Sequence, residues 1–278
     1  MTTILALRSL RVTPLLTSAN LSRIMSTTTT HLERTNGSSR DPGLRDCTVS
    51  SITDISPTVK LLKLAPVPKQ QLTFKPGQWV DFFIPGTDMI GGYSMCSDPR
   101  SPLLELAIKY STHPPAHWVH KSCKAGDDVQ VRVGGDVHLE PSSGTKAVLL
   151  VGGGIGINPL LSIIKAGVDS STKYHLLYSA GTLEELIFWY DLEEMSVNHE
   201  NFTVEYFLTR ETVKQLGSNN FVKFQSGRIT PETINKLVDD WKNVFGADGI
   251  RCFLCGPPPM IDYLSKNVEV KCEYEKWW

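Results

Sequence analysis

A chain of 278 residues with a formal net charge of −1 has room for one large or two ordinary domains and carries no basic footprint for nucleic acid. No apolar run approaches the ~20 residues that span a bilayer. The six cysteines are scattered, and no second C-x-x-C completes a zinc site.

Residues 1–45 differ in composition from the rest. No acidic residue precedes Glu33, while Arg8, Arg11 and Arg23 stand among Ser, Thr and Leu. This is the composition of a mitochondrial transit peptide, ending between Ile24 and Arg45. Arg8 and Arg11 interrupt the apolar run before it reaches the length of a secretory signal; a leader with no targeting role is the alternative.

Residues 46–143 read as short strands broken by Gly/Pro turns. Cys47–Leu64 predicts two strands about Asp54-Ile-Ser-Pro57. Trp79–Ile84 follows the turn Phe74-Lys-Pro-Gly-Gln78, and Leu103–Tyr110 and Val129–Val133 alternate apolar and polar residues. One short helix fits Ala116–Cys123. The expectation is a small antiparallel β-barrel. His113, His117 and His120 lack a carboxylate or Cys to complete a ligand set and read as surface or packing residues.

From residue 146 to 278 strands and helices alternate. Strands are expected at 147–151, 174–178, 202–208, 250–254 and 268–274, and helices at 159–166, 183–195, 231–245 and 258–266. This is an α/β domain with a five-stranded parallel sheet. The helix after Thr230 is the best signalled, with a cap, Pro231 at its first position, and Ile234, Val238 and Trp241 at helical spacing. Ligands in such sheets sit at the carboxyl ends of the strands.

At that edge lies the most informative stretch. Ala147–Val151 is a buried strand, followed by Gly152-Gly-Gly-Ile-Gly-Ile-Asn-Pro159. Asn158 and Pro159 read as helix N-cap and first helical residue. Strand, glycine turn and helix aim N–H groups and a positive dipole end at an anion. The Rossmann fingerprint would need glycine at Ile157, and no acid closes the second strand to hold a ribose. The loop is therefore a nucleotide type of another lineage, or a strand–helix turn without ligand. Cys255-Gly256-Pro257 ends a strand at the same edge. Cys252 and Cys255, three apart on a strand, point to opposite faces. Gly91-Gly-Tyr93-Ser94 offers a flat face and a hydroxyl, and Trp277-Trp278 reads as docked rings. No nucleophile–base motif is present.

Together these motifs resemble the ferredoxin-NADP-reductase-like family, the flavin reductases that include cytochrome b5 reductase. The glycine loop is similar to G-G-G-x-G-I-T-P, Cys255-Gly-Pro-Pro-Pro-Met260 to C-G-P-P-P-M, and Gly92-Tyr93-Ser94 to the end of R-x-Y-S. Gly227-Arg228-Ile229 and the aromatic chain end also match, so the resemblance covers Cys47–Trp278. It implies a FAD-binding barrel, a NAD(P)H domain, and hydride transfer from nicotinamide to flavin and on to an unidentified acceptor. By the same resemblance Tyr93 stacks on the flavin and Ser94 bonds near its reactive nitrogen. Gly152, Gly153, Gly154, Ile155, Gly156, Ile157 and Asn158 hold a pyrophosphate. Cys255, with Gly256 and Pro257, borders the nicotinamide, and Trp278 covers the flavin ring.

Three positions depart from the family. Gly91 replaces an Arg that pairs with flavin phosphate. Ala116, preceded by Pro114-Pro115, replaces a Ser or Thr at a helix start; Arg100 or Lys109 are the available substitutes. Asn158 for Thr is mild. The alternative is therefore a nucleotide-binding sensor or scaffold of this fold with weakened or lost flavin binding. Ser179-Ala-Gly-Thr182 lacks a base for a 2′-phosphate and favours NAD; Arg210 pulls toward NADP.

Overall fold

Period-two alternation of apolar and polar side chains builds the first half of the molecule. The structure is a computed structural model that describes residues 30–68, 72–140, 144–213 and 222–276. A one-turn helix α1 (His31–Arg34) precedes β1 (Arg45–Ser56), β2 (Val59–Pro66), β3 (Trp79–Phe83), β4 (Ile90–Ser94) and β5 (Leu104–Lys109). Helix α2 (Pro114–Lys121) and β6 (Asp128–Gly134) complete the unit. All pairings are antiparallel, in the order β4-β3-β6-β1-β2-β5. The edges meet where the Cys96 N–H donates to Glu105 O at 3.0 Å. Leu62, Leu64, Val80, Phe82, Leu106 and Val131 fill the interior, closed by Val119 of α2. The histidines of α2 pack as the composition suggests: His120 Nε2 lies 2.8 Å from Ile108 O and its ring meets the Tyr110 edge.

The opposite face of β3 is polar at its centre. Asp81 is completely buried there, accepting from His31 Nε2 (2.9 Å), Arg40 Nε (2.9 Å) and Arg132 Nε (2.8 Å). Burial alone would raise the Asp81 pKa, but the hydrogen bonds from His31, Arg40 and Arg132 outweigh it and hold the carboxyl at about 2. Residues 30–45, expected to belong to the leader, are thus a strap on the barrel. A Thr30–Glu33 capping box starts it, and Arg40 bridges to Gly134 at its far end. A four-residue helix leaves no periodic signal, and the strap's partners lie in strands 40–100 residues away in sequence. Residues 1–29, the core of the expected transit peptide, lie outside the described residues.

The second half alternates β7 (Ala147–Gly153), α3 (Ile157–Gly167), β8 (Lys173–Ala180), α4 (Trp189–Asn198), β9 (Phe202–Leu208), β10 (Val222–Ser226), α5 (Pro231–Phe245), β11 (Ile250–Cys255), α6 (Pro258–Asn267) and β12 (Cys272–Glu273). Every pairing is parallel, in the order β10-β9-β8-β7-β11-β12. Val148 and Leu150 of β7 face the Leu160, Leu161 and Ile164 side of α3. Ala147, Leu149 and Val151 face Ile234, Val238 and Trp241 of α5 and Ile261 of α6. Truncating one of these buried leucines to alanine removes about 2–5 kcal/mol. Thr230 caps α5 by accepting from the Thr233 N–H, with Pro231 at its first position.

The sheet has one strand more than expected. β10 is an edge strand with a single fully buried residue, Val222, so its alternation is weak. β12 is cut to two residues. The helix expected at 183–195 divides into a 3₁₀ turn (Leu183–Glu185) and α4, because Phe188 between them is left-handed at φ 62°. Strand order reverses between β7 and β11, which places the crevice of a parallel sheet beyond Gly153 and Cys255.

Candidate functional site

β7 runs into a 3₁₀ turn, Gly154–Gly156, that passes directly into α3. Neither has a side-chain cap, and no acidic residue stands in the first turn. Helix-end N–H groups and the dipole therefore face outward with no internal anion. Gly154 is left-handed at φ 55°, and nothing lies within 4 Å of where a Cβ would stand. Its neighbours are the reverse. A Cβ on Gly153 would sit 2.6 Å from Met260 Sδ, and one on Gly156 2.7 Å from Gly256 N. The glycine loop and the Cys255–Met260 loop thus interlock backbone to backbone, 100 residues apart in sequence.

Asn158 does not cap the helix. The 3₁₀ turn moves the helix start back to Ile157, with Gly156 at the N-cap position. The Asn158 side chain turns instead to the barrel, where its Nδ2 donates to Ala107 O at 2.8 Å and its Oδ1 is buried with no hydrogen-bond partner. Ser162 Oγ donates to Ser97 O at 2.8 Å, and Lys165 Nζ pairs with Glu105 at 3.1 Å. Spacings of four and then three put these ties on one helix stripe, so the loop's helix is fastened to the other domain. The one sequence signal for Ser162 is a hydroxyl in an otherwise apolar run.

Between the domains a cavity of about 30 Å³ is lined by Ser94, Gly77, Val137, Pro159, Cys255 and Glu275. Ser94 and Cys255 thus meet at one cleft. Burial, with the charge of Glu275 adding, pushes the Cys255 thiol up to about 12. It stays protonated at neutral pH and borders the cleft without acting as a nucleophile. The tail supplies the cleft's other wall. Glu275 accepts from Trp79 Nε1 (2.7 Å) and the Asp136 N–H (2.9 Å), and Glu273 holds Arg251 at 2.8 and 2.6 Å. The Trp278 position lies outside the described residues.

A second groove runs along the open side of the glycine loop, lined by Gly154, Ile155, Gly181 and Glu185 with Thr58 and Lys109 of the barrel. Arg210 lies over Gly181 and pairs with Glu185 at 2.6 Å. Lys109 therefore faces the nucleotide loop, not a flavin phosphate. Arg100 is held by Asp98 at 2.6 Å and by Lys165 O at 2.9 Å. Neither substitutes for the missing arginine.

The flavin half is uneven. Ser94 at the cleft fits a ring edge, but the phosphate grip does not fit. A Cβ on Gly91 would stand 2.6 Å from the Tyr93 ring and 3.0 Å from Pro115. The Tyr93 ring, edge-on to Phe82 at 5.7 Å, fills the room a side chain at 91 would need. Helix α2 begins on Pro114 and Pro115, which have no N–H to donate, and His113 ahead of it makes no cap bond. The family's arginine and the first two helix donors are thus absent from the place a flavin pyrophosphate would be gripped.

Comparison with known proteins identifies the family and the fold. The oxidoreductase NAD-binding domain family matches residues 150–266. The chain is 39% identical to the Danio rerio oxidoreductase NAD-binding domain-containing protein 1 over 276 residues, covering 90% of this chain and 98% of that protein. Among solved structures, the FAD/NAD-binding domain of nitric oxide dioxygenase from Vibrio cholerae superposes with a TM-score of 0.67 at 20% identity, covering 83% of this chain and 97% of that one. A ferredoxin NADP+ reductase from Neisseria gonorrhoeae, with bound FAD and NADP, gives 0.68 at 18% identity over 86% and 100%. The fold is that of the ferredoxin-reductase-like flavin and nicotinamide domains.

Proposed function

The chain belongs to the family of oxidoreductase NAD-binding domain-containing protein 1, and from that premise we propose that it is an NADH-dependent oxidoreductase delivering hydride into the cleft between Ser94 and Cys255. The observation that carries this reading is the interlock of the glycine loop with the Cys255–Met260 loop at the point where strand order reverses. The loop's N–H groups hold the pyrophosphate. Gly153 and Gly156 keep the two loops close enough for a nicotinamide to lie against Cys255. The protein's contribution is orientation and exclusion of water, with the redox chemistry carried by the nucleotide and its acceptor. NADH is favoured over NADPH because Glu185 occupies Arg210 and presents a carboxylate at the edge where a ribose would lie.

The FAD of the solved neighbours carries over to this chain only in part. A flavin ring fits at Ser94 and would supply a hydride acceptor there, but Gly91 and the two prolines leave its phosphates ungripped. The same residues favour a second reading, a nucleotide-binding protein that has lost its flavin and acts as sensor or scaffold. Two measurements separate them. Calorimetric titration should show NADH binding more tightly than NADPH; no binding of either ends both readings. Absorbance near ~450 nm after adding FAD should show weak, exchangeable flavin reduced by NADH; no uptake at millimolar FAD leaves only the second reading. The leader's composition supports mitochondrial import as part of the proposal, with cleavage upstream of Thr30 so that the strap survives. N-terminal sequencing of the mature protein checks this, and a start within the strap overturns it.

A further inference from the structure

β12 is two residues long and pairs only with β11, Cys252 opposite Cys272 and Phe253 opposite Glu273. In-register partners on neighbouring strands point to the same face. The two sulfurs accordingly lie 3.3 Å apart. Adjacent strands, about 4.8 Å apart, fall within the 4.4–6.8 Å Cα range of disulfides, and closing the sulfurs to bonding distance needs a shift of only about 1.3 Å. Among the described residues the other four cysteines, Cys47, Cys96, Cys123 and Cys255, make no hydrogen bond to another sulfur, and burial pushes their thiols up to about 11 or 12.

We infer that Cys252 and Cys272 form a reversible thiol–disulfide latch at the root of the C-terminal tail, oxidised by low-molecular-weight disulfides. Roles divide by position. Cys272, on the sheet edge, is half-buried and reachable; Cys252 is sealed beneath Ile261 and Leu264. The Cys252 thiol donates to Cys272, which lowers the Cys272 pKa, while that bond together with burial raises the Cys252 pKa. Cys272 thiolate is thus the attacking sulfur. It displaces one half of the small disulfide as a thiolate and forms a mixed disulfide. Cys252 then attacks the Cys272 sulfur, and the second half leaves as a free thiol carrying the Cys252 proton. Two protein thiols are oxidised and one small disulfide is reduced to two thiols, so electrons and atoms balance.

The latch matters because of the residues it anchors. Glu273 and Glu275, one and three residues beyond Cys272, line the cleft with Cys255, and Glu275 ties the tail to the barrel. Reduced, the tail is held to its own sheet by two strand pairs and the Glu273–Arg251 ion pair; oxidised, its root is covalently fixed.

The test uses the full-length protein, reduced, desalted and incubated in native buffer with oxidised glutathione before alkylation. The expected product is lighter by about 2 Da than the reduced form, with two of the six thiols protected and a single 252–272 linked peptide. Dithiothreitol reverses it. Cys252→Ser should stop at a stable glutathione adduct on Cys272. Amide exchange over 273–276 should slow at least about tenfold on oxidation. Six alkylated thiols, a stable adduct on wild-type Cys272, a link to Cys255, a link formed only in denaturant, or unchanged tail exchange each overturns the proposal. The main readout is on the wild-type chain and does not depend on a variant folding.

Discussion

Helices α3 and α2 start in opposite ways, and the contrast separates the two domains. α3 follows four glycines and holds its one proline until the third helical position, so N–H groups at its start remain to meet an anion. α2 opens on two prolines, which removes the donors of its first two positions, and the strand beside it has Gly91 where the flavin-reductase motif it resembles has arginine. A helix start is an anion site only while its donors survive. The same architectural device is thus intact in the nucleotide domain and dismantled in the barrel. What stabilises the barrel must then be its own, and the buried Asp81 with its strap meets that need.

The largest test of this contrast is Asp81→Asn. It leaves two guanidinium groups facing a neutral amide and should cost about 3 kcal/mol at neutral pH, read by chemical denaturation, whether or not flavin is added. The pH dependence has a definite sign. Asp81 is depressed from an ordinary 3.8 to about 2, so its contribution, about 2 kcal/mol, is full above pH ~4 and is lost as pH falls through 2. Wild type and variant should converge in acid; a constant gap would break the assignment. Next is Gly156→Val, whose side chain collides with the Cys255–Gly256 backbone. NADH affinity should fall about thirtyfold, or about 2 kcal/mol, by calorimetry. Unchanged affinity would mean the interlock is not the nucleotide site. Restoring the lost half, Gly91→Arg with Ala116→Ser, should tighten flavin about tenfold, near the lower end of a charge-assisted bond, once the Tyr93 ring swings aside. No gain would show that the barrel lost more than its phosphate grip. The smallest effect is Glu185→Gln, which frees the exposed Arg210 and should shift preference toward NADPH about fivefold.

Much of this was legible in the sequence because it is local. β7, its loop and α3 are contiguous, and their apolar periods of two and then 3.6 need no partner to be read. α5 announces itself by Thr230 and Pro231. The elements that escaped have their causes elsewhere in the chain. β10 exists because a neighbouring strand offers a ladder, and its own residues alternate too briefly to show it; the strand expected at 268–274 is real but keeps only the two residues that find a partner. Asp81 reads as one acid in a strand of large apolar residues, and nothing near it says that His31, Arg40 and Arg132 converge on it. Asn158 misleads for a similar reason. Its type and place suit a cap, but the 3₁₀ turn and a carbonyl 51 residues earlier give it different work. Cys272 stands alone in sequence and finds its sulfur neighbour only through strand pairing.

The bond from Trp79 to Glu275 spans 196 residues and carries a consequence for synthesis. A chain emerging N-terminus first at ~5–20 residues per second makes the donor roughly 10–40 s before the acceptor exists. The strap, Asp81 and Arg132 are all translated early, so the barrel has its own contacts in hand while the ribosome is still working. The cleft has not: one wall comes from Glu273 and Glu275, translated after β11 and every strand before it. Its completion is a long-range closure that comes after the folding of both sheets, and contacts so distant in sequence form slowly. A chain that has made both sheets but not yet residues 273–276 has its two cores in place and one wall of the cleft missing.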